Sequence, residues 1–268
     1  MFNLFKAFLF KIRKDLTFRI TLIIGLGLAI VFALIYFGID QLGGDGGQKM
    51  CSGQNMLVSS LSPAQNFGIA IPVNLISFTV LEFTQGTIRN KIITGNSKFK
   101  IYVSLFFSGL FFTFVLLGAY AGLSFGLGSI FGGFDPNGAV IAGVNIGLCS
   151  PEFLIQMLLL TLLVYITIAA ITIFFSTLLR SIGPCIPIVI MFIMVCYFSS
   201  FIINMTNPDA EKILRYLNPL HMIIALSSSG GVLEIPSDRM IPGIITNAVY
   251  IALFFFGGLF IFRKRDVK

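Results

Sequence analysis

Long apolar runs separated by short polar segments dominate the chain. A helix needs roughly 20 mostly apolar residues to cross the hydrocarbon core of a membrane. Six runs reach or approach that length and predict spans at residues 18–39, 64–82, 99–127, 153–179, 182–204 and 242–262. The second run is the weakest, because it contains Asn66, Pro72 and Asn74. The pattern predicts one all-α integral membrane domain over residues 1–268.

The composition agrees with a membrane protein. Of the 268 residues, 56% are hydrophobic, 11% are charged and 30 are Phe. A soluble domain carries about a quarter charged residues. A single water-soluble core could not hide this much apolar surface, so lipid is the expected solvent for most of the chain.

The basic residues give a predicted orientation. With the N-terminus in the cytoplasm, 14 of the 18 Lys and Arg residues fall inside, and four fall outside: Lys49, Lys212, Arg215 and Arg239. This bias follows the positive-inside rule and needs an even number of spans, which supports the weak second one. It predicts a multi-pass protein of the cell membrane with both termini cytoplasmic. The net charge of +7 then reflects topology and predicts no nucleic-acid partner.

The first 17 residues have a pattern of their own. Phe2, Phe5, Leu9, Ile12 and Leu16 recur at helical spacing, and most basic residues lie off that stripe. The segment 1–17 therefore predicts an amphipathic helix lying on membrane lipid at the cytoplasmic face. An ordinary basic orientation signal would explain the same charges.

Two predicted outer segments differ in character. Residues 40–63 contain GGDGGQ and predict a flexible loop. Residues 205–241 contain a short helix that Asn218-Pro219 would end, followed by LHMIIAL, which is too short to span. This segment predicts a broken, re-entrant helix pair before the last span. Cys51 and Cys149 share the predicted outer side, and the sequence leaves open whether they pair.

Known catalytic patterns are missing from the sequence. The stretch GGDGGQKM at 43–50 departs from the phosphate loop, which needs Gly at Gln48 and Ser or Thr at Met50. The single histidine, His221, cannot form a two-histidine metal motif, and no G-x-S-x-G elbow accompanies it. The sequence therefore predicts a structural or surface histidine. The sequence predicts no catalytic residue, cofactor or metal on this chain, and therefore no enzyme.

The segment LEFTQGTIRNKIITGNSKFKIYV, residues 81–103, is a polar and basic island between two apolar runs. The predicted topology places it in the cytoplasm between the second and third spans. Residues 82–98 would form a coupling loop with a short amphipathic helix, roughly 82–96, that Thr94-Gly95-Asn96-Ser97 stops. A short helix held by two spans would transmit motion from a soluble partner.

The pattern E-F-x-x-G-T-I-R-N-K-I-I-T-G-x-S-K-x-K-I-Y resembles the permease subunits of ABC transporters of the ABC-2 type, the type-2 exporters. The resemblance implies a separate ABC ATPase subunit that carries ATP and Mg²⁺, and a complex of two permeases, identical or paralogous, with two ATPases. It also implies that the coupling helix docks on the ATPase. The residues expected to dock are Glu82, Gly86, Thr87, Arg89 and Lys91.

The same resemblance, to small permeases without large outer domains, implies export of hydrophobic or amphipathic cargo, such as antimicrobial or toxin peptides. Drugs or lipids are alternative cargoes. One rival class stays open at this point: an ATPase-independent channel or membrane anchor, which needs no coupling helix. An intramembrane enzyme would need a polar catalytic cluster at membrane depth, and none is visible in the sequence. The sequence does not distinguish secretion from self-immunity.

Overall fold

The architecture is taken from a computed structural model. It describes residues 2–42, 51–61, 69–133, 139–141, 144–146, 151–206, 213, 216–221 and 237–264. These residues contain nine helices of more than one turn: α1 (Phe2–Lys14), α2 (Leu16–Leu42), α3 (Gly53–Leu61), α4 (Ala70–Thr84), α5 (Thr87–Ile93), α6 (Lys98–Phe131), α7 (Pro151–Leu179), α8 (Ile182–Thr206) and α9 (Ser237–Lys264). A small antiparallel hairpin pairs β1 (Ala139–Ile141) with β2 (Val144–Ile146), with Val140 opposite Asn145.

Five helices are long and apolar enough to cross a membrane: α2, α6, α7, α8 and α9. The chain is therefore a helical, multi-pass membrane protein, as its sequence predicts. The weak second run corresponds to α4, which has 15 residues. At 1.5 Å per residue it is about 22 Å long, less than the roughly 30 Å hydrocarbon core. The count of six spans stays a prediction.

The long helix α6 lies at the centre of the described structure, in contact with α1, α2, α3, α4, α5, α7 and α9. Its Phe112 ring packs against Phe18 of α2 at 5.0 Å and Phe78 of α4 at 5.6 Å between centroids. Close approach to α7 occurs at Gly109, where a Cβ atom would lie 2.9 Å from Ile173 Cδ1. Because lipid is as apolar as the helix surfaces, there is no hydrophobic driving force between them. Gly109 stabilises the contact by letting the two helices pack closely.

One prediction about the loops is wrong. Residues 40–63 were expected to form a flexible loop, but 53–61 form α3, and most of its side chains are buried, including Met56 and Val58. α3 lies along the C-terminal end of α6. A Cβ atom at Gly128 would lie 2.7 Å from Met56 Cγ, and one at Gly132 would overlap the backbone of Cys51. Gly128 and Gly132 of α6, which are distant from α3 in sequence, therefore leave the space that α3 occupies.

Replacing Gly128 with Ala should loosen α3, because overpacking a tight contact costs about 1–3 kcal/mol. The readout is alkylation of Cys51, which is fully buried. Burial, followed by the charge of Asp40, raises the pKa of the Cys51 thiol and keeps it slow to react. We expect faster modification of Cys51 in Gly128→Ala, measured by peptide mass spectrometry. Gly122→Ala on the same helix is the control, because its added Cβ meets nothing within 4 Å; equal rates in the two variants would contradict the prediction.

The N-terminal helix differs from its predicted stripe. The buried residues are Leu4, Phe8 and Ile12, which belong to the same hydrophobic cluster as residues of α2, α4 and α6. Of the residues expected on the lipid-facing stripe of this helix, Ile12 is buried and Leu16 belongs to α2, where it is exposed. The most deeply buried side of α1 thus faces protein, and the helix turns a different side outward.

Candidate functional site

The predicted coupling segment 82–98 is divided into three pieces. Glu82 belongs to the last turn of α4, and Gly86 separates that helix from the seven residues of α5. Gly86 has φ of +68°, a left-handed conformation that side chains with a Cβ atom rarely adopt. Beyond α5, the side chain of Ser97 accepts a hydrogen bond from the backbone N–H of Lys100 and caps α6. The helix predicted over 82–96 is therefore shorter and sharply bounded.

Glu82 joins three helices. Its carboxylate is fully buried, with Lys11 Nζ of α1 at 2.8 Å from Oε1 and Lys91 Nζ of α5 at 2.9 Å from Oε2. The hydroxyl of Thr87 donates to the same Oε2 at 2.6 Å and to the backbone carbonyl of Glu82 at 2.8 Å. A buried carboxylate needs this degree of compensation. We call Glu82, Lys11, Lys91 and Thr87 the junction, because together they hold α5 and α1 to the end of α4. In this conformation the buried Glu82 does not face a partner directly.

Lys91 is also mainly an internal residue. Its Nζ lies 3.2 Å from the ring centroid of Phe8, a cation–π contact, and its side chain is 19% exposed. Burial lowers the pKa of Lys91, the charge of Glu82 opposes that lowering, and the charge of Lys11 adds to it. Two lysines and one carboxylate leave one net positive charge within the junction.

The outward side of α5 carries different residues. Arg89 and Asn90 are exposed, and Ile93 is 71% exposed although it is apolar. Arg89 and Ile93 are four residues apart and so share one face of the helix. Of the five residues expected to dock, only Arg89 is exposed. Gly86 and Thr87 are partly buried and shape the turn.

Two residues of the site, Lys11 and Ile93, could not be recognised from the sequence. Lys11 is 71 residues from Glu82, and nothing local indicates that they meet. Ile93 stood in the sequence as one of several apolar positions. The exposure of Ile93 could be inferred from its spacing to Arg89 only if the first residue of α5 were already known.

The junction reaches further helices through Phe83. Its ring packs edge-on against Phe262 of α9 at 6.0 Å, and the guanidinium of Arg180 lies 5.4 Å from its centroid. Arg180 forms the turn between α7 and α8 with φ of +52°, a rare conformation for a residue other than Gly. Lys98 Nζ of α6 donates to the carbonyl of Arg263 at 3.1 Å. The ends of α1, α4, α5, α6 and α9, with the α7–α8 turn, therefore meet here.

A second polar cluster joins α8 to the described part of the predicted re-entrant segment, residues 216–221. The amide Nδ2 of Asn218 donates to the carbonyl of Cys196 at 2.6 Å and to Ser200 Oγ at 2.7 Å, and its Oδ1 accepts from Leu220 N at 2.9 Å. His221 Nδ1 lies 3.1 Å from Ser200 Oγ. Most of segment 205–241 lies outside the described residues, so the re-entrant pair stays a prediction.

The cluster extends to α7 and α9. Asn247 donates to the carbonyl of Pro219 at 3.1 Å and accepts from Thr167 Oγ1 at 2.7 Å. We call residues 218–221 with Ser200, Thr167 and Asn247 the polar clamp. Because these amide groups bind neighbouring helices, the clamp fixes α7, α8 and α9 to one another. His221 is fully buried within it, in agreement with a structural histidine.

Neither cluster has the composition of a metal site. Within the described ranges, no three His, Cys, Asp or Glu residues come together in a way that could hold a metal ion. Cys51 forms no disulfide with a described residue, and its Sγ lies 3.5 Å from the carbonyl oxygen of Ala33. Cys149 lies outside the described residues, so its pairing with Cys51 stays open.

Comparison with known proteins places the chain in a family. No curated protein and no solved structure matches it. One family model matches residues 30–268. The matched range includes α3 to α9 and every junction residue except Lys11 of α1. The chain therefore belongs to the family described as "Protein of unknown function (DUF2705)".

Proposed function

We propose that the protein is the permease subunit of an ATP-driven exporter of the ABC-2 type. The observation that carries the proposal is α5, a short helix whose inner side is held by Glu82 and whose outer side presents Arg89, Asn90 and Ile93. A helix that is anchored and exposed at once suits the transmission of force. A basic, partly apolar face of this size suits a groove on a soluble ATPase subunit.

The expected partner carries ATP and Mg²⁺, because this chain has no phosphate loop in its sequence. As the resemblance to ABC-2 permeases implies, the proposed complex contains two permeases, identical or paralogous, with two ATPases. The distribution of basic residues supports a cell-membrane location with the termini and α5 in the cytoplasm.

Movement of α5 would pass into the membrane helices through the junction. Rotation of α5 moves Glu82 and Phe83 at the end of α4 and, through Lys11, moves α1. Phe262 of α9 and Arg180 at the α7–α8 turn follow because they contact Phe83. This provides a path from ATP-driven closure of the partner to alternating access.

The proposed cargo is hydrophobic or amphipathic, with peptides such as antimicrobial or toxin peptides as first choice. The charged residues of the five long helices stand near their ends in the sequence. A path between such helices offers no charge at mid-membrane to bind an ion. Drugs and lipids satisfy the same chemistry and remain alternative cargoes.

The test is extraction in mild detergent followed by mass spectrometry of co-purifying proteins and by an assay of cargo-stimulated ATP hydrolysis. We expect a near-stoichiometric P-loop ATPase with the natural chain. Arg89→Glu combined with Ile93→Ser should lower its recovery at least about tenfold, since both residues are exposed and interface anchors of this type cost about 1–2 kcal/mol each.

The control is Gln41→Glu, which adds a negative charge at an exposed site at the end of α2 opposite its start beside α1. It should retain the ATPase. Recovery of the natural chain without any ATPase, at every detergent strength, would contradict the proposal and favour an ATPase-independent channel or anchor.

A further inference from the structure

The N-terminal helix presents a basic stripe on the side away from the protein. Lys6, Phe10, Arg13 and Lys14 follow helical spacing, and all four are exposed. Phe10 is 61% exposed, although it is a large apolar residue in a helix whose other side is buried. Lys14 Nζ lies 4.5 Å from the centroid of the Phe10 ring. The stripe thus combines cations with one apolar ring.

The stripe continues into a surface suited to lipid chains. Asp15 links the two helices, since its Oδ1 accepts a hydrogen bond from Thr17 N at 2.8 Å at the start of α2. From there three exposed residues are large and apolar, with Leu16 69%, Ile20 47% and Ile23 68% exposed. α2 is one of the candidate spans. The basic stripe therefore lies next to one end of an exposed apolar surface on a candidate span.

Residues 1–20 carry mostly positive charge. They contain five basic residues and one acidic residue, Asp15. Lys11 faces inward to Glu82. Arg19 stays beside the stripe, because its Nε donates to the carbonyl of Arg13 at 3.1 Å. Four basic side chains are left on or beside the outer side of the elbow between α1 and α2.

We infer that the outward stripe of α1, formed by Lys6, Phe10, Arg13 and Lys14, binds the headgroups of anionic phospholipids in the adjacent leaflet. The cations select negative headgroups over zwitterionic ones. Phe10 enters the boundary between headgroups and acyl chains, as apolar residues of interfacial helices do. This inference does not depend on the exporter function and stands if no ATPase binds.

The lipid site would bear on the junction. Lys14 lies one turn after Lys11 on the same helix, and Lys11 contacts Glu82. Anionic lipid bound outside α1 would hold the helix in place while its inner side holds Glu82. The charge of the leaflet would then contribute to the position of α5.

The experiment uses the full chain with Phe10→Trp as the reporter, since the sequence contains no other Trp. The protein is reconstituted in vesicles of phosphatidylcholine and phosphatidylglycerol. Bromine atoms on the acyl chains of one lipid or the other quench the Trp. At equal fractions, brominated phosphatidylglycerol should quench at least about threefold more, given the attraction of several Lys and Arg residues to an anionic surface. The preference should shrink as salt is raised.

Arg13→Gln with Lys14→Gln in the same background should bring the quenching ratio close to one. Lys100→Gln with Lys264→Gln removes two exposed basic residues elsewhere and should preserve the ratio. Equal quenching by the two lipids in the reporter protein would overturn the inference. So would an equal loss in the control pair, which would indicate general charge attraction. Absence of quenching by either lipid would place Phe10 against protein, for instance a second copy, and would also overturn it.

Discussion

Replacing Glu82 with Ala is expected to destabilise the protein by about 3 kcal/mol and to displace α5. Removing one member of a buried ion pair costs about 3–5 kcal/mol because the remaining charge is uncompensated. Here two lysines would remain, and they would repel each other. Their side chains are 29% and 19% exposed, so they regain some solvent, which places the cost at the lower end. For a chain of this size the melting temperature should fall by about 6–12 °C.

The melting temperature can be followed with a dye that fluoresces on reaction with thiols, because Cys51, Cys185 and Cys196 are buried. A double variant, Glu82→Gln with Lys91→Met, tests the cause. It removes both charges of one ion pair and keeps an acceptor for the Thr87 hydroxyl. It should recover more than half of the lost stability, since apolar replacements of buried pairs are often neutral.

The same two variants separate two roles for Glu82. If the carboxylate only positions α5, the double variant should also recover binding of the ATPase. If Glu82 contacted the partner, the double variant would be stable without binding. A melting temperature of Glu82→Ala within about 1 °C of the natural protein would contradict the junction itself.

The second large effect is expected at the polar clamp. Asn218→Leu conserves approximate size but removes an amide that donates to Cys196 O and Ser200 Oγ and accepts from Leu220 N. Each buried group left without its partner costs about 1–3 kcal/mol. Some of the freed groups can find new partners, so we expect a total of about 2–4 kcal/mol, seen as a lower melting temperature.

The control for Asn218 is Asn90→Leu, the same change at an exposed position, which should shift stability by no more than about 0.5 kcal/mol. A double-mutant cycle of Asn218→Leu with Ser200→Ala should give a coupling energy of about 1 kcal/mol, because the two side chains are in direct contact. Additive effects would contradict the geometry of the clamp.

Local patterns predicted the elements better than their contacts. The apolar runs indicate α2 and α6 to α9, because hydrophobicity over about 20 residues is a local property. The stretch from Thr94 to Ser97 likewise indicates where the short helix ends, whereas its start after Gly86 was missed. Which face of that helix is free depends on Lys11, which belongs to a helix far away in the chain. Glu82 was therefore expected at a surface and lies in the interior.

Two other differences have the same physical origin. Helix α3 exists because glycines on α6 leave space for it, and the GGDGGQ stretch before it suggested only a loop. In α1, Leu4 and Phe8 compete with Phe5 and Leu9 for one apolar arc, and tertiary packing decides between them. The Asn218-Pro219 turn could be predicted, whereas the acceptors of the Asn218 amide belong to α8 and could not.

The position of α3 also constrains how the chain is made. When α3 leaves the ribosome, the glycine-lined end of α6 on which it rests has not been synthesised. The roughly 70 residues between Leu61 and Gly132 take about 4–14 s to translate at bacterial or eukaryotic rates of about 5–20 residues per second. During that interval Gln54 and Asn55, buried in the finished protein, have no α6 to cover them. The order of synthesis therefore means that α3 reaches its final contacts only after α6 has been made.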